Sequence, residues 1–163
     1  MRHPPYVGVV GPSEVDDVLQ PLAREAGSEL AAQGWVVVTG GLGGVMAAAA
    51  AGAASRAGLV VALLPGDDRS LASAGHSVVI PTGLGELRNG LLVRTCDALV
   101  AIGGSWGTQS EISLAVRDGM PVVSLAGWSQ PAPGVETFDG VGEAVAWLVR
   151  RLASPLTPDR GPS

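Results

Sequence analysis

The sequence predicts a single α/β domain, in which a doubly wound parallel sheet of the Rossmann-like type lies between two layers of helices. Short, continuously apolar runs alternate along the chain with longer segments of helical pattern. Strands that are apolar on both faces belong to parallel sheets covered by helices on both sides. Glycine-rich turns follow several of these runs, and in such sheets ligands bind at the carboxyl ends of the strands.

Each element is placed by its apolar run and by the turn residues that end it. Strands are predicted at residues 6–10, 35–39, 59–64, 77–80, 98–102 and 121–125. Helices are predicted at residues 14–33, 44–57, 84–95, 108–118 and 141–152. The first helix has Ser13 as its N-cap and Gly34 as its stop. Segment 65–76 is polar and is predicted to be a surface loop. The domain covers residues 1–153, and the proline-rich residues 154–163 are predicted to form a disordered tail.

Composition excludes several classes of function. The net charge of −5 argues against nucleic-acid binding, which depends on neutralising phosphates. No apolar run reaches the roughly 20 residues that span a bilayer, so no membrane association is predicted. The single cysteine, Cys96, permits no internal disulfide and fits a reducing compartment, so the predicted location is cytoplasmic. With two histidines and one cysteine no metal site is predicted. The chain contains no lysine, which excludes a Schiff base with pyridoxal phosphate.

The glycine turn at residues 40–44 follows a strand and opens a helix. The backbone amides of Gly41, Gly43 and Gly44 are therefore candidates for binding a phosphate at the positive end of the helix dipole. The alternative is a tight connection that needs glycine only for its backbone angles. No acidic residue ends the next strand, so the turn lacks the dinucleotide fingerprint and NAD is disfavoured.

A second glycine turn lies at residues 103–108, again between a strand and a helix. Gly104, Ser105, Gly107 and Thr108 are predicted to bind phosphate there, with Glu111 beside them as a catalytic candidate. The alternative is a capping box, in which Thr108 caps the backbone N–H of Glu111 and the Glu111 side chain reaches back. The two are compatible, because a carboxylate in the first turn of a helix stays ionised and can face a ligand.

Four further side chains are candidates for the same site. Arg88 lies near the start of a helix, where the dipole disfavours a cation, and this position indicates an anionic ligand. Ser13, Met46 and Trp106 are predicted to contact the rest of the ligand. The alternative for Met46 is a position in the hydrophobic core. The alternative for Trp106 is packing in a subunit interface.

Taken together, these motifs resemble those of the LOG ("Lonely guy") cytokinin-activating phosphoribohydrolases and their wider superfamily. The family's P-G-G-x-G-T-x-x-E motif falls on residues 103–111, its R-K pair on Arg88 and Asn89, and its glycine turn on residues 39–46. Gly103, Ser105 and Asn89 depart from the family's Pro, Gly and Lys. Stretches 64–68 and 80–85 are more similar to a sister group, which contains a molybdenum-cofactor carrier protein and uncharacterised proteins related to DprA.

Two functions follow from this resemblance. The first is binding of a phosphorylated small molecule, either a nucleotide or a phosphorylated pterin such as molybdenum cofactor, with no cofactor of the protein's own required. The second is a nucleoside 5′-monophosphate phosphoribohydrolase, which releases the base and ribose 5-phosphate. In it Glu111 would stabilise an oxocarbenium-like ribose and position or deprotonate water. Arg88 would orient the phosphate or ribose, or assist the leaving base. The resemblance and the low charge also imply a homodimer or homotetramer. Lysine decarboxylation, a label common in the superfamily, is excluded by the missing lysine.

Overall fold

The computed structural model describes residues 3–128 and 132–153, which form one seven-stranded parallel sheet between two layers of helices. The strands are β1 (Tyr6–Val10), β2 (Val36–Thr39), β3 (Val60–Leu64), β4 (Val78–Pro81), β5 (Ala98–Ile102), β6 (Val122–Leu125) and β7 (Val135–Phe138). The helices are α1 (Leu19–Ala32), α2 (Val45–Ala54), α3 (Arg88–Thr95), α4 (Trp106–Arg117) and α5 (Val141–Ala153). The predicted α/β fold is confirmed. The predicted tail, residues 154–163, lies outside the described residues.

The strand order is β4-β3-β2-β1-β5-β6-β7. Strands β1 to β4 extend the sheet in one direction, and β5 to β7 extend it in the other. The order therefore reverses between β1 and β5, which pair directly through Val7 and Ala98. A crevice forms at such a reversal, beyond the carboxyl ends of the two strands, and it is the usual ligand site of a doubly wound sheet.

Several element bounds differ from the sequence prediction: α3 begins at Arg88 and not at residue 84, α4 begins at Trp106, and two further differences concern β7 and α1. Strand β7 was not predicted, because it is a partly exposed edge strand without a continuous apolar run. Helix α1 begins at Leu19, five residues later than expected. The carboxylate of Asp16 accepts hydrogen bonds from the backbone N–H groups of Val18 (3.0 Å) and Leu19 (2.8 Å), so it satisfies donors at the helix start. Ser13 is therefore not the N-cap, and that prediction is wrong.

The core has one layer on each face of the sheet. Helices α1, α2 and α5 cover one face, and α3 and α4 cover the other. The close packing of α1 on α2 depends on Gly27, because a Cβ there would lie 2.0 Å from the carbonyl oxygen of Ala49. The alanine-rich sequence of α2 therefore serves helix packing. None of the helices within residues 3–128 and 132–153 has the length and apolar character needed to cross a membrane.

Edge strand β4 has an uncovered apolar side. Val78 and Ile80 pair in register with Val61 and Leu63 of β3, which point into the core beneath α3 and α4. Because register partners of parallel strands point to the same face, Val78 and Ile80 lie on this face as well. Both stay 43% exposed, so the short helix α3 leaves them uncovered.

Candidate functional site

A cavity of about 480 Å³ opens at the carboxyl edge of the sheet, at the reversal between β1 and β5. Its walls come from the turns after β1, β2, β3 and β5 and from the starts of α3 and α4. Seven of the predicted site residues line it: Ser13, Met46, Arg88, Ser105, Gly107, Thr108 and Glu111. The fold therefore brings residues from distant parts of the chain to one place.

Arg88 is the first residue of α3 and is buried to 9% exposure at the cavity wall. Gly40 makes room for it, because a Cβ at that position would lie 2.4 Å from Arg88 Nη1. The Arg88 Nε is buried without a hydrogen-bond partner among the described residues. Burial lowers the pKa of Arg88, while the nearby Glu111 carboxylate opposes this shift. A buried guanidinium with an unused donor is costly unless an anion or another acceptor pairs with it.

Glu111 faces Arg88 from α4, with Oε1 3.9 Å from Arg88 Nη1. It is only 6% exposed. Burial raises the pKa of Glu111 to about 7, although the Arg88 charge acts in the opposite direction. The prediction that Glu111 stays ionised is therefore wrong at neutral pH, where the protonated and charged forms coexist. A carboxyl group in this state can donate or accept a proton at neutral pH.

The N-terminus of α4 is capped by Ser105 and not by Thr108. Ser105 Oγ accepts a hydrogen bond from the Thr108 backbone N–H at 3.2 Å, and it lies 2.9 Å from Thr108 Oγ1. The predicted capping box is wrong because α4 begins at Trp106, two residues earlier than expected. Glu111 consequently lies beyond the first turn and does not reach back to the helix start. Two hydroxyl groups therefore lie at the positive end of the α4 dipole, where they line the cavity.

Among the other predicted residues, three in the first glycine turn do not line the cavity: Gly41, Gly43 and Gly44. The Gly41 N–H donates to Thr39 Oγ1 at 3.0 Å. Gly44 packs against the Pro12 carbonyl, which also accepts the N–H of Val45 at the start of α2 at 3.1 Å. Donors of this turn are thus used within the fold, and a role for the three glycines in phosphate binding stays a prediction.

Gly104 and Trp106 also lie outside the cavity lining. A Cβ on Gly104 would lie 2.2 Å from the Trp128 indole, so Gly104 makes room for that ring. Trp106 is 83% exposed and packs edge-on against Trp128, with 5.1 Å between ring centroids. Contact of Trp106 with a ligand therefore stays a prediction.

Several cavity residues were not predicted from the sequence. Gly40, Pro65, Gly85 and Asn89 all line the cavity. Asn89 directly follows Arg88, and its side-chain amide makes only a long contact of 3.4 Å with Ser110 Oγ. The resemblance had marked its position, but it gave no role to an asparagine. Pro65 and Gly85 could not be predicted, because neither has a side chain that binds a ligand. Only the tertiary structure brings them to the cavity. The described residues include no cluster of three His, Cys, Asp or Glu side chains that could hold a metal ion.

The doubly wound sheet defines a Rossmann-like protein, and its cavity lies at the switch point where such folds usually bind ligands. The chain belongs to the SLOG cluster4 family, whose sequence model matches residues 4–146. The predicted resemblance to LOG-like proteins and to the sister group of molybdenum-cofactor carriers is thereby confirmed.

Relatives and solved structures agree with this membership. An uncharacterised protein of Archaeoglobus fulgidus is 39% identical over 145 residues, which cover 88% of this chain and 93% of the relative. The molybdenum cofactor binding protein of Rippkaea orientalis superposes with a TM-score of 0.86 at 28% identity, over 94% of this chain and 100% of that one. The molybdenum cofactor carrier protein of Chlamydomonas reinhardtii superposes with a TM-score of 0.83 at 32% identity, over 91% of this chain and 99% of that one. DNA processing protein A of Helicobacter pylori superposes with a TM-score of 0.69 over 91% of this chain and 81% of that one. At 19% identity this similarity shows the fold alone.

Proposed function

We propose that this chain binds a phosphorylated small molecule in the cavity between β1 and β5. The observation that carries the proposal is the buried Arg88, whose Nε has no partner among the described residues and whose guanidinium borders the cavity. A phosphate in the cavity would neutralise this buried guanidinium, and charge-assisted bonds to a planar guanidinium are strong and directional. The Ser105 and Thr108 hydroxyls and the α4 N-terminus provide further donors on the same wall.

Within this class we propose a phosphorylated pterin, with molybdenum cofactor as the cargo, ahead of a nucleotide. The two structural neighbours named for that cofactor, both above 25% identity, support this choice. The residues present also fit such a ligand. Arg88 and the hydroxyls suit its phosphate, while the Asn89 amide and the Glu86 carboxylate line the same cavity and suit the amide and amine edges of a pterin.

Calorimetric titration tests this proposal. The ligands are molybdenum cofactor released from a molybdoenzyme, a panel of nucleoside 5′-monophosphates, and the corresponding nucleosides without phosphate. We expect binding of a phosphorylated ligand that weakens at least tenfold in Arg88→Gln. Arg94→Gln is the matched control, because Arg94 lies on the same helix, is exposed and pairs with Asp118. Equal affinity in Arg88→Gln and native protein, or equal binding of nucleosides, would refute the phosphate site.

A phosphoribohydrolase is the second candidate, and Glu111 is the observation that favours it. Its carboxyl group lies in the cavity, 3.9 Å from Arg88, and its pKa near 7 suits proton transfer at neutral pH. In this reaction the N-glycosidic bond breaks, the base leaves with the bonding electrons and takes up a proton, and water adds to C1′ of the ribose. Chromatography of free base after incubation with each monophosphate is the test. Release that disappears in Glu111→Ala supports the enzyme, and its absence from every incubation rules the reaction out for that panel.

We also propose that the chain forms a homodimer or homotetramer through an apolar surface here called the outer patch. Its members are exposed and lie on β4, in the turn that follows it and on α3: Val78, Ile80, Leu84, Leu87 and Leu91. Leu87 is 78% exposed, and clusters of large exposed apolar side chains often mark association surfaces. Leu87→Asp is expected to shift the mass measured by light scattering towards the monomer. An unchanged mass would place the interface elsewhere.

The cytoplasmic location and the lack of nucleic-acid binding stay predictions. The predicted lack of nucleic-acid binding is tested by titrating the protein with fluorescent single-stranded DNA at low salt, where a phosphate-driven interaction is strongest. With a net charge of −5 no saturable binding is expected.

A further inference from the structure

His76 joins two distant parts of the chain beside the proposed site. It ends the polar segment 65–76, here called the strap, and it is part-buried. Its Nε2 lies 2.8 Å from Thr39 Oγ1, across a separation of 37 residues, and its Nδ1 lies 2.8 Å from the Ser73 carbonyl oxygen. Thr39 is fully buried at the end of β2. The strap is thus attached to the carboxyl edge of the sheet through this imidazole.

The hydrogen-bond partners determine the state of the ring. The Ser73 carbonyl can only accept, so His76 Nδ1 carries the hydrogen and the Nε2 of a neutral ring accepts from the Thr39 hydroxyl. Thr39 Oγ1 accepts in turn from the Gly41 N–H at 3.0 Å. The Gly41 carbonyl then accepts the Ser73 N–H at 2.9 Å. Residues 39, 41, 73 and 76 therefore form a closed ring of hydrogen bonds, here called the clasp.

The clasp residues do not line the binding cavity themselves, but residues joined to them along the chain do. Gly41 follows Gly40, whose missing Cβ provides the space for the Arg88 guanidinium. At the other end of the strap Pro65 lines the cavity, and its carbonyl oxygen accepts the N–H of Gly85, another lining residue, at 2.9 Å. A change in the clasp therefore alters both the space around Arg88 and the cavity wall formed by the strap.

We propose that His76, in its neutral form, is a positioning residue of the ligand site that holds the first glycine turn and the strap where Arg88 can meet the ligand. This inference rests on the proposed binding function. Protonation would put a hydrogen on Nε2, so Thr39 Oγ1 would have to accept from both Nε2 and the Gly41 N–H, and its own hydrogen would have to turn to a new acceptor. The clasp is therefore expected to rearrange and weaken when His76 becomes charged.

The surroundings of His76 favour the neutral ring. Both ring nitrogens face uncharged groups, and α2, which packs on the strap through Ala50 and Ala51, presents no charge to it. The charged side chains of the strap, Asp67, Asp68 and Arg69, are exposed. Burial lowers the pKa of His76 below its usual value of 6.5. The neutral ring, and with it the clasp, is therefore favoured at neutral pH, and the clasp is expected to weaken as the pH falls far enough to protonate His76.

Amide hydrogen exchange tests the clasp without any ligand. In His76→Phe, which keeps a ring but removes both hydrogen bonds, the Gly41 and Ser73 amides are expected to exchange at least tenfold faster. The Val9 and Val100 amides in the central strands should keep their protection, which shows that the fold is intact. His76→Gln retains one donor and one acceptor, and it is expected to give an intermediate rate. Unchanged exchange at Gly41 and Ser73 in both variants would overturn the proposal.

The second arm measures affinity for the phosphorylated ligand that the native chain binds, as a function of pH. At pH 7.5 His76→Phe is expected to bind at least fivefold more weakly, and native affinity should fall on acidification more steeply than that of His76→Gln. His3→Gln, at the exposed other histidine, should behave as native. Native-like affinity and pH dependence in both His76 variants would refute the positioning role. If the native chain binds none of the probes, the proposed function fails. The hydrogen-exchange experiment still shows whether His76 holds the clasp together, because it needs no ligand.

Discussion

Gly40→Ala is the substitution that most directly tests how the fold presents Arg88. The added Cβ would lie 2.4 Å from Arg88 Nη1 and 2.7 Å from Met46 Sδ. Ordinary contacts are about 3.5–4.0 Å, so the guanidinium must move by about 1 Å. Gly40 does not have a positive φ, and both contacting atoms are at or near the ends of flexible side chains. The chain should therefore fold, with Arg88 displaced from its native position.

The expected loss follows from the bonds that Arg88 makes to phosphate. A hydrogen bond to a charged group contributes about 1.5–3 kcal/mol, and about 1.4 kcal/mol corresponds to a tenfold change in affinity. Gly40→Ala is thus expected to weaken binding of the phosphorylated ligand by roughly tenfold to a hundredfold in calorimetry. Gly90→Ala is the matched control, because it lies on α3 with Arg88 and a Cβ there meets nothing within 4 Å.

The two variants are expected to separate binding from stability. Gly90→Ala should leave affinity unchanged and stabilise the helix by about 0.5–1 kcal/mol, which thermal denaturation detects. The Arg88 Nε–H signal in nuclear magnetic resonance should shift in Gly40→Ala and not in Gly90→Ala. Native affinity in Gly40→Ala, together with a shifted Arg88 signal, would show that the position of Arg88 does not control binding.

Three further outcomes are expected. Glu111→Gln should raise the free energy of unfolding at pH 8 by up to about 3 kcal/mol, because the pKa of Glu111 rises from 4.5 to about 7 on folding and each unit is worth about 1.4 kcal/mol. The native protein has its full stability from the protonated Glu111 below pH 4.5 and loses it as the pH rises through 7, so the gain of the variant should be absent below pH 4.5 and grow over that range in urea titrations; parallel curves would contradict it. Ser105→Ala removes the α4 cap and should cost about 1 kcal/mol in the same assay, whereas Thr108→Ser, which keeps a hydroxyl, should cost less. Cys96 is buried, and burial raises the pKa of its thiol; a thiol reagent should therefore modify it only after denaturant unfolds the chain, and rapid labelling of the native protein would show that this core opens.

Local pattern was sufficient to predict most of the fold. Strands buried on both faces must be apolar throughout, so β1, β3 and β5 are visible as continuous runs, and glycine punctuates the helices between them. The alternation of these runs with helical segments then implies a parallel sheet. Strand β7 was not predicted, because it lies at the edge of the sheet and is only partly buried, so it has no continuous apolar run.

Two of the residues predicted for the site were found because their chemistry is unusual at a single position. Arg88, placed against the dipole of its helix, and Glu111, beside a glycine turn, were both predicted from the sequence, and both line the cavity. The state of Glu111 was predicted wrongly, because its pKa depends on burial beneath elements far away in the chain. The start of α4 was misplaced by two residues, which moved the cap from Thr108 to Ser105.

The sequence by itself determined the α/β class, the edge of the sheet at which the cavity opens, and the residue types that line the candidate site. These follow from periodicity and from residues that are neighbours in the chain. Only the tertiary structure decided that Gly40 makes room for Arg88 and that His76 closes a ring with Thr39. Such contacts join residues separated by more than 30 positions, so they depend on strand order and register, which local pattern does not specify.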